Sequence, residues 1–389
     1  MVGRGGRGIL SPGKELRSLL RLRLLPGVGD RTVLRLLERE GSARKALALP
    51  SGEFSRLAGT EAEAARGSYD LREQVERVLE RCRDLEIRIV PLGDPHYPRA
   101  LLALVDPPPL LFLRGDISFL ERRSVAIVGS RRATATGRRT AERLGRELSD
   151  RGIVVVSGLA LGIDGAAHRG ALQGRGGTLA VLGSGPDRAY PSGNRDLFRR
   201  ILEEGLVVSE FPPGEGVRPY HFPRRNRVLA GLARAVIVVE AAERSGALIT
   251  VDHALDLGLD VFAVPGSVEA LQARGTNALL RDGAHLLTGA DEVLEVMGWD
   301  ALPRCRSRGM GPGRGRADAA EPETDGTYRG SHRARGVLDA LDSVPRSLDQ
   351  LVERAGLSPK ELLATLTRLE LEGVVRREVE GWCRPGQVG

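Results

Sequence analysis

VAIVGSRRATATGRRTAERLG, residues Val125 to Gly145, decides how the chain is read. A short apolar run, Ser124 to Val128, meets Gly129 and then a helix-like stretch, the way a nucleotide-binding α/β domain opens. The dinucleotide fingerprint G-x-G-x-x-G is missing. The turn reads Gly129-Ser130-Arg131-Arg132, and the next glycine is Gly137. The residue types still suit an anion. Glycine lets a backbone approach closely, a helix N-terminus carries partial positive charge, and arginine offers a fork shaped for phosphate.

Working outward, similar apolar runs recur at 124–128, 153–157, 178–183, 206–210, 235–240 and 260–264. They are continuous rather than alternating, as in strands buried on both faces of a parallel sheet. Helix-like stretches of roughly 10–20 residues separate most of them, the crossover length of βαβ units. The expected fold is α/β, an extended Rossmann-like parallel sheet. A helical domain precedes it and a winged-helix-like domain follows.

The expected divisions are a disordered leader at 1–14, a helical domain at 15–84, the Rossmann-like domain at 85–298, a linker at 299–332 and the winged-helix-like domain at 333–389. In the helical zone, LRLLPGVGDRTVLRLLERE places Gly27 and Gly29 between two helical runs. This resembles a helix-hairpin-helix turn, whose N–H groups face either a phosphate or plain structure. The proline-rich stretch DPHYPRALLALVDPPPLLFLRGD leads into the sheet. The linker is rich in Gly, Pro and Arg, then acidic. Near the C-terminus, Ser347 is expected to cap one helix. Ser358-Pro359-Lys360-Glu361 opens a second, and VVRREVEGWCR reads as a hairpin.

Composition narrows the classes. The chain has 389 residues, 41% of them hydrophobic, and a formal charge of +7. Lys14, Lys45 and Lys360 are its lysines, so arginine carries nearly all the positive charge, and its placement matters more than its total. Cys82, Cys305 and Cys383 are far apart and fit neither a metal motif nor a disulfide framework, so a reducing cytoplasm is expected. No run is long enough to span a membrane. Gly8 to Lys14 matches most of a phosphate-binding P-loop, but Glu15 stands where Ser or Thr is required and no strand precedes it.

In an open parallel sheet, ligands sit outside the carboxyl ends of the strands. Those positions read Gly129-Ser130-Arg131, Ser157-Gly158-Leu159-Ala160, Gly183-Ser184-Gly185, Ser209-Glu210-Phe211-Pro212, Glu240-Ala241 and Pro265-Gly266. A second cluster, Tyr220-His221-Phe222-Pro223-Arg224-Arg225-Asn226-Arg227, combines aromatic rings with arginines, as single-stranded nucleic acid requires. Catalytic constellations are not evident. Asp164 and His168 lie four apart on a helix without a third partner, and Asp252-His253 is similar. Neither a catalytic residue, a metal site nor a cofactor is expected.

Together VAIVGSR, VVSGLALGIDGAAHRGAL, TLAVLGSGPDRAYPSGN, SEFPPG, FPRRNRVLAGL, IVVEAAERSGALIT, VFAVPG and RGTNALLRDGA, in that order, resemble the DprA (Smf) family of bacterial DNA-processing proteins. The resemblance is dense over about 94–295. It implies a dimer that binds single-stranded DNA, protects incoming DNA during natural transformation and loads the recombinase RecA. It implies that Gly129, Ser130 and Arg131 hold phosphates, and that Ser157, Gly158, Phe222, Arg224, Arg225, Asn226 and Arg227 line the same groove. The family's basic residue before the third strand is replaced by Gly177, and Arg175 is the expected substitute. The winged helix's expected recognition helix, Pro359 to Glu372, sets Lys360 and Arg368 against Glu361, Glu370 and Glu372, which points to a minor or protein-facing role. The alternative is a nucleotide-processing enzyme resembling phosphoribohydrolases. At the matching place, Glu240 to Thr250, that group's double glycine and glutamate are missing.

Overall fold

The computed structural model describes residues 13–299 and parts of 337–383. Residues 1–12 of the expected leader, the linker beyond Trp299, Ser347 and Ser358–Glu361 lie outside the described residues. The chain divides into two compact units, up to Arg306 and from Ser307.

The first unit begins with six helices: α1 (Lys14–Leu24), α2 (Asp30–Glu40), α3 (Ala43–Leu47), α4 (Ser51–Ala58), α5 (Thr60–Ala65) and α6 (Tyr69–Asp84). Gly27, at φ +70°, makes the turn between α1 and α2, and Gly29 caps α2. These helices share their core with the next sheet. Their core includes Leu110 and Phe112 from the next sheet, so the layer cannot close without it.

Nine strands form that sheet: β1 (Arg88–Pro91), β2 (Leu110–Gly115), β3 (Ser124–Val128), β4 (Val154–Ser157), β5 (Thr178–Leu182), β6 (Leu206–Ser209), β7 (Ala235–Val238), β8 (Asp260–Ala263) and β9 (His285–Leu286). All six expected strands form. The order is β1-β2-β6-β5-β4-β3-β7-β8-β9, with β2 antiparallel to both its neighbours, β1 and β6, and the other pairs parallel. β2 arises from the proline-rich stretch and β1 lies just ahead of it, so prolines between them hid the pairing. The parallel part of the sheet starts mid-sheet at β3, winds out to β6, then returns to lay β7 on the other side of β3. The order therefore reverses between β3 and β7.

Alternate residues of each buried strand feed opposite cores. Val125 and Ile127 meet α7 (Ala135–Asp150) and α8 (Ile163–Ala171), and Ala126 and Val128 meet α10 (His221–Gly231) and α11 (Gly246–Asp256). The remaining helices are α9 (Arg195–Glu204), α12 (Arg274–Arg281) and α13 (Ala290–Val296). Trp299, expected in the linker, packs on the α7 side with Arg123 over its ring at 5.6 Å.

α7 and α8 cross closely because glycines face each other's backbone. A Cβ on Gly170 would overlap the Glu142 carbonyl, and one on Gly145 would overlap that of Ala167. Backbone cannot yield as a flexible side chain does. Gly170→Ala is therefore expected to cost at least about 1–3 kcal/mol, the usual range for overpacking, read as a lower urea midpoint at unchanged slope.

In the second unit, Val337, Leu341, Leu351, Leu366, Val375 and Trp382 share a core. Its described elements are α14 (Leu348–Ala355) and a hairpin of β10 (Arg376–Glu378) and β11 (Gly381–Cys383), the hairpin expected from VVRREVEGWCR.

Candidate nucleic-acid interface

Where the strand order reverses, the loops after β3 and β7 diverge and leave a crevice. A cavity of about 850 Å³ occupies it. Gly129 to Arg132 form one wall and Ala242, Ser245 to Ala247, Ile249 and Thr250 another, while Tyr190, Phe222, Arg225 and Asn226 close it. Arg131, Phe222 and Tyr190 make its recognisable chemistry. The Arg131 guanidinium carbon lies 4.5 Å from the Phe222 ring centre, and the Phe222 and Tyr190 centroids are 5.9 Å apart. Arg131 is exposed and makes no ion pair among the described residues. A cation free for phosphate thus lies beside two rings able to stack.

The turn after β3 differs from the expectation in its details. Gly129 is required by packing, since a Cβ there would come within 2.7 Å of Ile163 and 2.8 Å of the Glu240 carbonyl oxygen. The Ser130 N–H donates to that carbonyl at 2.7 Å, so it is not open to a phosphate. The Ser130 hydroxyl accepts from Arg132 N at 3.1 Å. The N-terminus of α7 already holds an anion of the protein's own. Glu240 accepts from Thr134 N at 2.9 Å and from the Thr134 hydroxyl, which in turn caps Gly137 N. A side chain at Gly137 would overlap that carboxylate. An internal glutamate therefore occupies the place where a Rossmann dinucleotide's pyrophosphate sits. This corrects the reading that the α7 terminus awaits an external phosphate.

The turn after β4 is closed too. Ser157 is fully buried and its hydroxyl donates to the Ile127 carbonyl at 2.6 Å. Gly158 N–H donates to Asp164 at 3.1 Å, Leu159 N–H donates to His168 Nε2 at 3.3 Å, and Asn194 donates to the carbonyls of Leu159 and Ala160 at 3.0 Å each. These bonds hold Leu159 at φ +57°, a left-handed conformation costly for a branched residue. Ser157 and Gly158 therefore shape the floor and do not line the groove. A side chain on Gly158 would overlap Arg225.

His168 is the structural histidine expected. Its Nδ1 lies 2.7 Å from the Thr178 hydroxyl, which itself donates to Val155 O, so Nδ1 carries the proton and Nε2 accepts. Burial pushes its pKa down to about 3, helped by Arg225 and Arg169. The unfolded chain therefore binds a proton that the folded one refuses between about pH 6.5 and 3. Stability is lost as pH falls through that window, by about 1.4 kcal/mol per unit. His168→Gln is expected to lower stability at pH 7 yet flatten the acid limb, a difference that urea unfolding across pH 3.5–7 measures.

The three arginines of α10 part ways. Arg225, 4% exposed, lines the cavity floor; Nη1 donates to the Val181 carbonyl, and Asp164 lies near. Burial pulls the Arg225 pKa down to about 10 and pushes that of Asp164 up. Arg224 and Arg227 face away from the cavity, into a cluster between α10 and the helical layer. Arg227 donates to Glu210 at 2.6 Å, to Asp30 at 3.2 Å and to the Asp106 carbonyl at 2.6 Å. Arg224 donates to Glu210 at 3.0 Å and to Asp30, which also pairs with Arg23 at 3.1 Å. Neither of these two arginines, expected in the groove, lines the cavity; both are held by buried carboxylates. The α1–α2 turn is likewise committed to docking, with Asp30 on its first helical residue.

Arg175 is at the other edge of the sheet. Its Nε donates to the Asp150 carbonyl at 3.0 Å, and the length of β5, about 16 Å at 3.3 Å per residue, separates it from the cavity. It does not substitute at the site. Nor is there room for a basic side chain at Gly177, which sits at φ +69° against the Phe119 ring. Of the expected residues, Gly129, Ser130, Arg131, Phe222, Arg225 and Asn226 converge on the cavity. Tyr190 and Thr250 join them without having been singled out as site residues. Tyr190 left a signal, an aromatic residue directly before a proline in RAYPSGN.

Comparison with known proteins agrees with this geometry. Residues 88–298 match the family described as DNA recombination-mediator protein A, and residues 317–381 match the DprA winged helix domain. Protein Smf of Synechocystis sp. is 36% identical over 311 residues, covering 73% of this chain and 77% of the relative. DNA processing protein DprA of Streptococcus pneumoniae is 46% identical over 201 residues, covering 52% and 71%. The X-ray structure of S. pneumoniae DprA superposes with a TM-score of 0.62 at 36% identity, covering 74% of this chain and 98% of that one. DNA processing protein A of Helicobacter pylori, whose structure addresses a single-stranded DNA binding mode, gives a TM-score of 0.51 at 29% identity and covers 56% and 97%. With a cavity at the strand-order reversal, a free arginine over an aromatic ring and a family match across more than half its length, the chain belongs to the DprA/Smf family of DNA-processing recombination mediators.

Proposed function

We propose that this protein binds single-stranded DNA in the cavity between β3 and β7, protects incoming DNA during natural transformation and loads the recombinase RecA onto it. The observation that carries the reading is the unpaired Arg131 stacked on Phe222 at the rim of a crevice that also holds Tyr190. Arginine takes the backbone charge and the rings take base faces, a sequence-tolerant combination. The H. pylori relative's single-stranded DNA binding mode supports it. A homodimer presenting two cavities to one strand is part of the proposal. Val268 (84% exposed) and Leu271 (59%) offer apolar surface for it. No catalytic role is assigned to any residue.

The test is fluorescence anisotropy with a labelled oligonucleotide, single-stranded against duplex, across a salt series. Preference for the single strand with a steep salt dependence is expected. Equal binding of both forms overturns the reading. Glu243→Ala, exposed and outside the cavity lining, is expected to leave affinity unchanged.

A further inference from the structure

No residue of the helical layer lines the cavity, yet that layer grips two of the cavity's walls. The first grip is on α10. Phe222, Arg225 and Asn226 on one side of this helix face the cavity, and Arg224 and Arg227 on another reach Asp30 of α2. The second grip is on the loop between β6 and α10. Arg81 of α6 donates to Asp187 at 2.8 Å, and that fully buried carboxylate accepts from Gly214 N at 3.0 Å. Val217 and Pro219, a few residues on, stand in the cavity wall.

We propose that Asp30 is a positioning residue for DNA binding: docking of the helical layer through Asp30, seconded by Arg81, holds α10 and the 212–219 loop in the arrangement that receives single-stranded DNA. The inference rests on the DNA-binding reading above. Without Asp30, Arg224 and Arg227 share Glu210, with only the Asp106 carboxylate besides, 3.7 Å from Arg227 Nε, and one buried and one partly buried cation are left short of countercharge. α10 relieves this by shifting, and Phe222 and Arg225 move with it. Coupling of this kind is reciprocal, so DNA must tighten the docking by the factor by which docking tightens DNA.

The experiment uses the full chain as wild type, Asp30→Ala, Arg81→Ala and Arg131→Ala. A labelled oligothymidylate is titrated over a salt series, and hydrogen exchange of α2 amides is followed with and without it. Asp30→Ala is expected to weaken binding about tenfold, within the usual range of coupling between sites, and Arg81→Ala by less. Both keep the wild-type salt slope, because neither residue meets a phosphate. In the wild type, saturating oligonucleotide slows α2 exchange by a comparable factor, and Arg81→Ala diminishes that slowing. A purely structural role moves the unfolding midpoint but not this DNA-dependent protection. If Asp30→Ala fails to fold, Arg81→Ala and wild-type exchange still decide the matter, since Arg81 is half exposed. Unaltered α2 exchange, or wild-type affinity in Asp30→Ala and Arg81→Ala while Arg131→Ala binds weakly, overturns the inference and leaves the DNA site standing. Absence of single-strand binding in every protein overturns both.

Discussion

Replacing Arg227 by alanine is expected to cost about 3–5 kcal/mol of stability, the range for removing one partner of a buried ion pair. Arg227 is 6% exposed as a side chain, and its guanidinium lies against Glu210 and Asp30, which are 1% and 4% exposed. The variant leaves both carboxylates out of water with a diminished counterion. Burial already pushes the Glu210 carboxyl above the ordinary range, against the pull of Arg227 and Arg224. Without Arg227 its pKa rises further, so the folded variant takes up a proton that the unfolded chain releases. Its stability is then present at low pH and lost as pH climbs through that raised pKa, so the deficit against wild type is larger at pH 8 than at pH 5.5. Arg227→Lys should rescue little, because a single ammonium cannot span Glu210, Asp30 and the Asp106 carbonyl. Urea unfolding at the two pH values reads the effect. A loss below about 1 kcal/mol at pH 8 would show that the cluster is not an ionic lock.

Arg131→Ala is the counterpart: little effect on stability and a large one on binding. Arg131 is exposed, so its removal leaves no buried charge behind. Loss of one charge-assisted phosphate contact is expected to weaken single-strand affinity by about 1–3 kcal/mol, or roughly 5- to 150-fold, and to lower the salt slope by about one. Phe222→Ala separates the two halves of the site. Base stacking is worth about 1–3 kcal/mol, so affinity falls similarly while the salt slope holds. Part of the Arg131 effect passes through the ring it stacks on, so the double variant should lose less than the sum. Anisotropy over a salt series checks all three. An unchanged Arg131→Ala slope would place the phosphate elsewhere.

The contrast between these arginines is partly written in the sequence. Arg224 and Arg227 are three apart and share a helical face, while Arg225 is turned about 100° from Arg224. The spacing alone separates them, but not which face meets DNA. That depends on Asp30, 194 residues from Arg224 along the chain. The strands were legible for a different reason. Strands buried on both faces must be apolar throughout, and the runs at 124–128, 178–183 and 235–240 show it locally. β1 and β2 escaped because their pairing is nonlocal and prolines flank them.

By itself, then, the sequence determined the parallel sheet, the helices around it, the C-terminal hairpin and the family. The first three follow from residue patterns short enough to act on their own backbone; the family follows from the resemblance of eight motifs in order. It also placed Gly129, Ser130, Arg131, Phe222, Arg225 and Asn226 near one sheet edge, since strand ends fix where loops emerge. Only the tertiary structure decided which polar groups at that edge remain free. Ser157, Gly158 and the N-terminus of α7 had the right chemistry for a ligand, yet Ile127, Asp164 and Glu240 use them up. A buried donor must find an acceptor, and in a closed fold the nearest one is often the protein's own. Arg131 escaped that rule because it stands at the rim, outside the packed interior.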